Sequence, residues 1–206
     1  MGGSWLDEQR VSFKTFMYQI VIPIRMYEVR FHGRGGQGAV TAARLLADAA
    51  FLEGKDVQSF PIFGVERRGA PVAAFTRMDD KPIDIKTQIY EPDVVIVLDS
   101  TLIGVVDVAD GLKDNGKIVI NSKKKPADFK FGDTQVYTID ATEIATKHGL
   151  GTKTNPIINT AILGAYAKAI GNIGMAAIEQ AIEHKVPIKK EENKNAAREA
   201  YEIMEV

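Results

Sequence analysis

Residues 27–52 read YEVRFHGRGGQGAVTAARLLADAAFL, and this stretch decides the fold. Tyr27–His32 alternates and then turns apolar, the pattern of a strand. Gly33–Gly36 follows as a turn, with Gly33, Gly35 and Gly38 in the spacing G-x-G-x-x-G. From Gln37 to Leu52 the chain reads as a helix. Only Thr41, Arg44 and Asp48 break its apolar character, and they fall on one stripe at i, i+3 and i+7. Such a helix is buried over most of its circumference, and Gly54 ends it.

The rest of the chain extends this strand–turn–helix unit. Asp56–Ile62 reads as a second strand. FGVERRGAP (63–71) sets three consecutive charges between glycines. Val72–Met78 is a strand, and the turn at 79–82 suggests an antiparallel partner at Ile83–Lys86. Val94–Leu98 (VVIVL) is a continuous apolar run, typical of a central strand covered on both faces. Thr101–Ala109 reads as helical, Lys117–Asn121 and Gln135–Ile139 as strands, and Thr142–His148 as a short helix with Thr142 as cap. Pro156–Ile170, Met175–Lys185 and Glu191–Met204 carry helical apolar spacing. The expected architecture is α/β: a three-layer Rossmann-like domain with a mainly parallel sheet and C-terminal helices. We expect residues 26–206 to form this domain, with 1–25 as an N-terminal extension outside it.

Composition narrows the chemistry. The chain has 206 residues, 45% of them hydrophobic, and a net charge of −1. No global field draws it to nucleic acid or to an anionic membrane, and no apolar run reaches bilayer length. It contains no cysteine, which excludes disulfides, thiolate catalysis and cysteine-ligated iron–sulfur clusters on this chain. Three histidines, His32, His148 and His184, are too widely spaced to suggest a metal site. A cytoplasmic location is expected.

In an α/β sheet, ligands sit beyond the carboxyl ends of the strands. Three segments map to that edge: Gly33–Gly38, Phe63–Pro71, and Asp99–Ser100. The glycine turn has the physics of an anion site. A helix N-terminus carries unpaired N–H groups and positive dipole, and glycines let an anion approach the backbone. Arg34 adds a donor fork suited to phosphate. A plain strand-to-helix turn is the alternative. NAD fits poorly, because the second strand (DVQSFPI) has no acid at its carboxyl end to hold the ribose. Arg67 or Arg68 suits a phosphate or carboxylate, with Glu66 to order it; a solvated loop pair is the equal alternative. Asp99 either caps the following helix or holds a ligand hydroxyl. Lys123–Lys125 read as a solvated turn, and His32 as packed beside the glycine turn. Asn155 and Asn159 are expected four apart on one helix face, as cap and core amide or as a ligand or partner contact.

Taken together, HGRGGQGAVTAARLLADAA (32–50), FPIFGVERRGAP (60–71), AFTRMDDKPI (74–83), YEPDVVIVLD (90–99) and TNPIINTAILGAYAKAIG (154–171) resemble the gamma subunit of pyruvate:ferredoxin oxidoreductases, across about residues 26–205. That resemblance implies an enzyme complex that converts pyruvate and coenzyme A (CoA), reversibly, to acetyl-CoA and carbon dioxide with electrons passed to ferredoxin. It implies alpha, beta and delta partner subunits, which carry the thiamine diphosphate, magnesium and iron–sulfur clusters, and no activity for this chain alone. The gamma subunit resembles the domain of the fused enzymes associated with CoA. Gly33, Arg34, Gly35, Gly36, Gln37 and Gly38 are then candidates for the CoA pyrophosphate loop. Glu66, Arg67, Arg68, Asn155 and Asn159 are candidates for the active-site entrance or a subunit contact. No residue is assigned as a catalytic acid or base. The alternatives are the gamma subunit of a branched-chain 2-oxoacid or indolepyruvate enzyme and, from another class, a stand-alone dinucleotide-binding protein.

Overall fold

A computed structural model describes residues 26–62, 69–152 and 154–206. The expected extension at 1–25 and the Glu66, Arg67 and Arg68 positions lie outside the described residues.

Six strands form one sheet: β1 (Tyr27–Arg34), β2 (Asp56–Pro61), β3 (Pro71–Asp79), β4 (Val94–Val97), β5 (Lys117–Asn121) and β6 (Gln135–Ile139). Their spatial order is β2-β3-β1-β4-β5-β6. β4, β5 and β6 run parallel to β1 through β1–β4, β4–β5 and β5–β6 pairings. β3 is antiparallel to both β1 and β2, so it alone is reversed. All four residues of β4 are buried, as the VVIVL run requires of a central strand.

One face of the sheet is covered by helices: α1 (Ala39–Leu52), α2 (Ala141–Lys147), α3 (Asn159–Ile170), α4 (Met175–Lys185) and α5 (Lys190–Ile203). They close the main core over Val29, Phe31, Ile96 and Val119. On α1 the alanines and leucines face the sheet, and Thr41, Arg44 and Asp48 are the polar stripe left outward. The second face buries Val95, Val97, Ile118 and Ile120 under an irregular layer that includes Leu102, Val108 and Phe129.

Several local expectations change. Ile83–Lys86 is not a strand, because β1 and β2 already occupy both edges of β3. Gln58 Nε2 instead donates to the Ile83 carbonyl at 2.9 Å, and the buried Arg77 guanidinium holds the chain that follows, donating to the carbonyls of Thr87 and Gln88 and pairing with Glu28 at 2.8 Å. Thr101–Ala109 is helical only as a 3-10 turn at Ser100–Leu102. Gly104 has φ 95°, outside helical space, and the Val108 and Asp110 carbonyls receive the Arg30 guanidinium from the sheet. Asp140, not Thr142, caps α2, its carboxylate accepting from the Glu143 N–H at 2.9 Å. Pro156 belongs to a small hairpin, β7 (Gly151–Thr152) with β8 (Asn155–Pro156), and α3 begins at Asn159.

Candidate functional site

β1 ends at Arg34 and α1 begins after Gly38, at the carboxyl edge of the sheet. Gly38 sits at φ 88°, a left-handed conformation that makes it, rather than Gln37, the first boundary of α1. No side chain caps this helix end and no acid lies in its first turn. Gly33 lets the helix lie close on the strand: a Cβ there would stand 3.1 Å from that of Ala39. Gly36, at φ 93°, is exposed with nothing within 4 Å of where a Cβ would point.

The turn is held from inside. The Gln37 Oε1 accepts from the Arg34 N–H at 2.7 Å, and the Gln37 N–H donates to the Arg34 carbonyl at 2.9 Å. The Asp99 carboxylate is the hub. Its Oδ2 accepts from Arg34 Nε and from Gln37 Nε2, both at 2.9 Å. Its Oδ1 accepts from the Thr101 N–H at 3.0 Å and the Thr101 hydroxyl at 2.6 Å. Burial pushes the Asp99 carboxyl up, but the hydrogen bonds from Thr101, Gln37 and Arg34 together pull it below its ordinary range. Asp99 is therefore the cap of the following 3-10 turn, and its other oxygen is taken by the glycine turn.

Arg34 is accordingly not a free cation. Besides Asp99 it donates to the Gly69 carbonyl at 3.1 Å and to the Thr101 hydroxyl at 2.9 Å. Two backbone bonds, Gly35 N–H to Ala70 carbonyl and Gly69 N–H to Gly35 carbonyl, stitch the glycine turn to the start of β3. The turn, the Asp99 corner and the end of the FGVERRGAP segment are thus one unit. That joining links elements 35 and 65 residues apart, and no sequence spacing announces it.

A crevice of about 330 Å³ opens beside this unit over the ends of β4, β5 and β6. Gln37, Asp99, Asn121, Lys123, Thr142 and Asn155 line it. Asn121 crosses its floor, donating to the Leu98 carbonyl at 2.9 Å and the Thr142 hydroxyl at 3.0 Å. Asn155 and Asn159 do not share a helix face. Asn155 lies in the hairpin at the crevice, while Asn159 opens α3, is buried, and packs its amide against Gly38. Asn121 and Thr142 were missed by sequence reasoning; their only signal is position at a strand end and a helix start.

The geometry also bears on dinucleotides. β3 lies between β1 and β2, so the end of β2 stands two strands, about 9.6 Å, from the glycine turn. Its last residues are Phe60 and Pro61, and neither supplies a carboxylate. Among the described residues no group of His, Asp or Glu is placed to hold a metal, and no helix is long and apolar enough to cross a membrane.

Comparison with known proteins places this arrangement. The family described as pyruvate ferredoxin/flavodoxin oxidoreductase matches residues 28–203. The "pyruvate/ketoisovalerate oxidoreductases common subunit gamma" of Pyrococcus furiosus is 59% identical over 186 residues, covering 88% of this chain and 98% of that protein. The pyruvate synthase subunit PorC of Methanothermobacter thermautotrophicus is 55% identical, covering 87% and 97%. The crystal structure of the pyruvate oxidoreductase subunit PORC of Thermotoga maritima superposes with a TM-score of 0.75 at 34% identity, covering 88% of this chain and 98% of that one.

Proposed function

This chain belongs to the pyruvate ferredoxin/flavodoxin oxidoreductase family as a gamma-type subunit, and from that premise we propose that its site is the CoA-associated part of a pyruvate:ferredoxin oxidoreductase. The full enzyme joins the acetyl unit of pyruvate to CoA, releases carbon dioxide and passes two electrons to ferredoxin. Thiamine diphosphate and iron–sulfur clusters on alpha, beta and delta subunits supply the carbanion and redox chemistry when bound. This chain, which has no cysteine to hold a cluster, contributes binding and orientation.

The observation that carries the reading is the end of α1. Its first-turn N–H groups have no side-chain cap, its Gly38 adopts the left-handed conformation, and an internal network fixes it at the ligand edge of the sheet. That donor set fits a pyrophosphate. The fit differs from a direct Arg34 contact: Arg34 already pairs with Asp99, so its first role is to set the turn, and the backbone amides receive the anion.

The test uses Gly36, where two substitutions of equal size differ only in charge. Asparagine and aspartate both tolerate left-handed φ. In the assembled enzyme, Gly36→Asn should leave the KM for CoA near wild type. Gly36→Asp should raise it by roughly 5–30-fold, the effect of about 1–2 kcal/mol of repulsion across a partly screened gap. Equal KM values for the two variants would remove CoA from this turn.

The relatives also favour a second reading of substrate. The Pyrococcus furiosus protein is named as a subunit common to pyruvate and ketoisovalerate oxidoreductases. The same chain then serves two catalytic partners, and specificity resides with them. Assay of complexes assembled on this chain, with pyruvate and with 2-ketoisovalerate, separates the two readings.

A further inference from the structure

A second groove lies apart from the crevice at the strand ends. It has a volume of about 950 Å³ and lies on the helical side, between the outer stripe of α1, the β7–β8 hairpin and the α4–α5 connection. Leu45, Leu150 and Val186 contribute its apolar wall. Two isoleucines on its border face solvent, Ile157 at 43% and Ile188 at 70% exposure.

Three features show a surface built to be covered. First, the connection carrying Ile188 is ordered as the start of α5, with Lys189 as its N-cap residue, and still leaves Ile188 exposed. Lys189 adopts φ 53°, the one non-glycine residue with positive φ among those described, a conformation unfavourable for any residue with a Cβ. It is tied down twice, by Lys189 Nζ donating to the Gly149 carbonyl at 2.5 Å and by Asn193 Nδ2 donating to the Lys189 carbonyl at 2.8 Å. This order presents an isoleucine to water. Second, Asn159, which is 7% exposed and lines the groove, has an Oδ1 with no described hydrogen-bond partner. A buried acceptor without a donor is unfavourable until something provides one. Third, the rim is cationic. Asp48 is paired with Lys185 at 3.3 Å; Arg44 has no ion-pair partner among the described residues, and the Lys189 ammonium meets only a neutral carbonyl.

We propose that this groove is the seat of an apolar, acid-bearing segment of a partner subunit. Its aliphatic side chains cover Ile157 and Ile188, and a carboxylate meets Arg44 and Lys189. The inference rests on the functional reading above, in which this chain works only within a complex. A rigid exposed apolar anchor beside a polar rim is the usual anatomy of a binding hot spot.

The full chain is co-expressed with the alpha, beta and delta subunits, and its affinity for them is measured, with complex composition read by native mass spectrometry. Ile188→Asp should weaken association at least tenfold, or 1.4 kcal/mol at that ratio. Arg44→Glu should weaken it several-fold, most strongly at low salt. Ile188→Leu should assemble as wild type. Both disruptive substitutions are at exposed side chains, so circular dichroism of the purified chain should match wild type. Wild-type affinity for both variants overturns the proposal. So does a self-dimer of the wild-type chain that Ile188→Asp dissolves, which would make a second copy the occupant. So does intact assembly with an altered KM for CoA, which would make the groove a small-molecule site. If the wild-type chain itself fails to join the partner subunits, the functional reading falls instead.

Discussion

Replacing Asp99 by asparagine keeps the shape of the hub and removes its charge. The wild-type carboxylate accepts four hydrogen bonds, from Arg34 Nε, Gln37 Nε2, the Thr101 N–H and the Thr101 hydroxyl. Asparagine offers one oxygen and one NH2 in the same space. With its oxygen toward Arg34 and Gln37, its NH2 confronts the Thr101 N–H and the cap is lost, at about 1 kcal/mol. The two retained bonds become neutral-acceptor bonds, each weaker by about 1 kcal/mol. Arg34 is 29% exposed and Asp99 17%, so solvent screening takes part of that. The expected loss is about 2–3 kcal/mol. For a domain of this size that is a fall in Tm of about 4–12 °C, read by circular dichroism on the full chain. The sign with pH follows from the direction of the Asp99 shift. Its folded pKa lies below the unfolded value of about 3.9, so the stabilisation is complete above that pH and is lost as pH falls through the folded pKa. Wild type and variant should therefore differ by a constant amount from pH 7 to about pH 5 and converge only below about pH 4. A Tm shift under 2 °C at pH 7, or convergence near neutral pH, would refute the hub.

Two other outcomes follow from the packing. A Cβ on Gly164 would stand 1.9 Å from the Ala197 carbonyl oxygen, where α3 crosses α5; Gly164→Ala should cost about 3 kcal/mol or more, since backbone must move, and a loss under 1 kcal/mol in urea titration contradicts that close crossing. His32 has its pKa lowered to about 4 by burial first and by Arg30 second, against the pull of Asp107. A lowered histidine pKa means the unfolded chain binds the proton more readily, so stability should fall as pH drops from about 6.5 to 4, by up to about 3 kcal/mol. His32→Asn should flatten that part of the pH profile, and an unchanged slope rejects the assignment.

Much of the fold was legible along the chain because it rests on short-range patterns. The apolar run at Val94–Leu98 and the glycine turn into an alanine-rich helix both depend on residues within one turn or strand of each other. So do the helix bounds at Met175–Lys185. Two of the misreadings share one cause. Ile83–Lys86 has strand pattern but no free strand edge to join, and Thr101–Ala109 has helical pattern in a segment that Arg30 anchors by its carbonyls from the sheet. In each, a distant partner outweighed a local preference.

The candidate site divides the same way. From sequence alone came the cysteine-free composition, the turn at Gly33–Gly38 with its edge position, and the resemblance that the family match bears out. Tertiary structure decided what those residues do. It placed β3 between β1 and β2, which moves the ribose-binding position of a dinucleotide fold away from the turn. It joined Arg34 to Asp99 across 65 residues, so that a residue suited to phosphate became the clamp that shapes the glycine turn. It separated Asn155 from Asn159 and turned Asn159 toward a groove that no motif marks. Backbone preference and hydrophobic period act between neighbours and can be read in order. Charge pairing and strand order act between residues that only folding brings together.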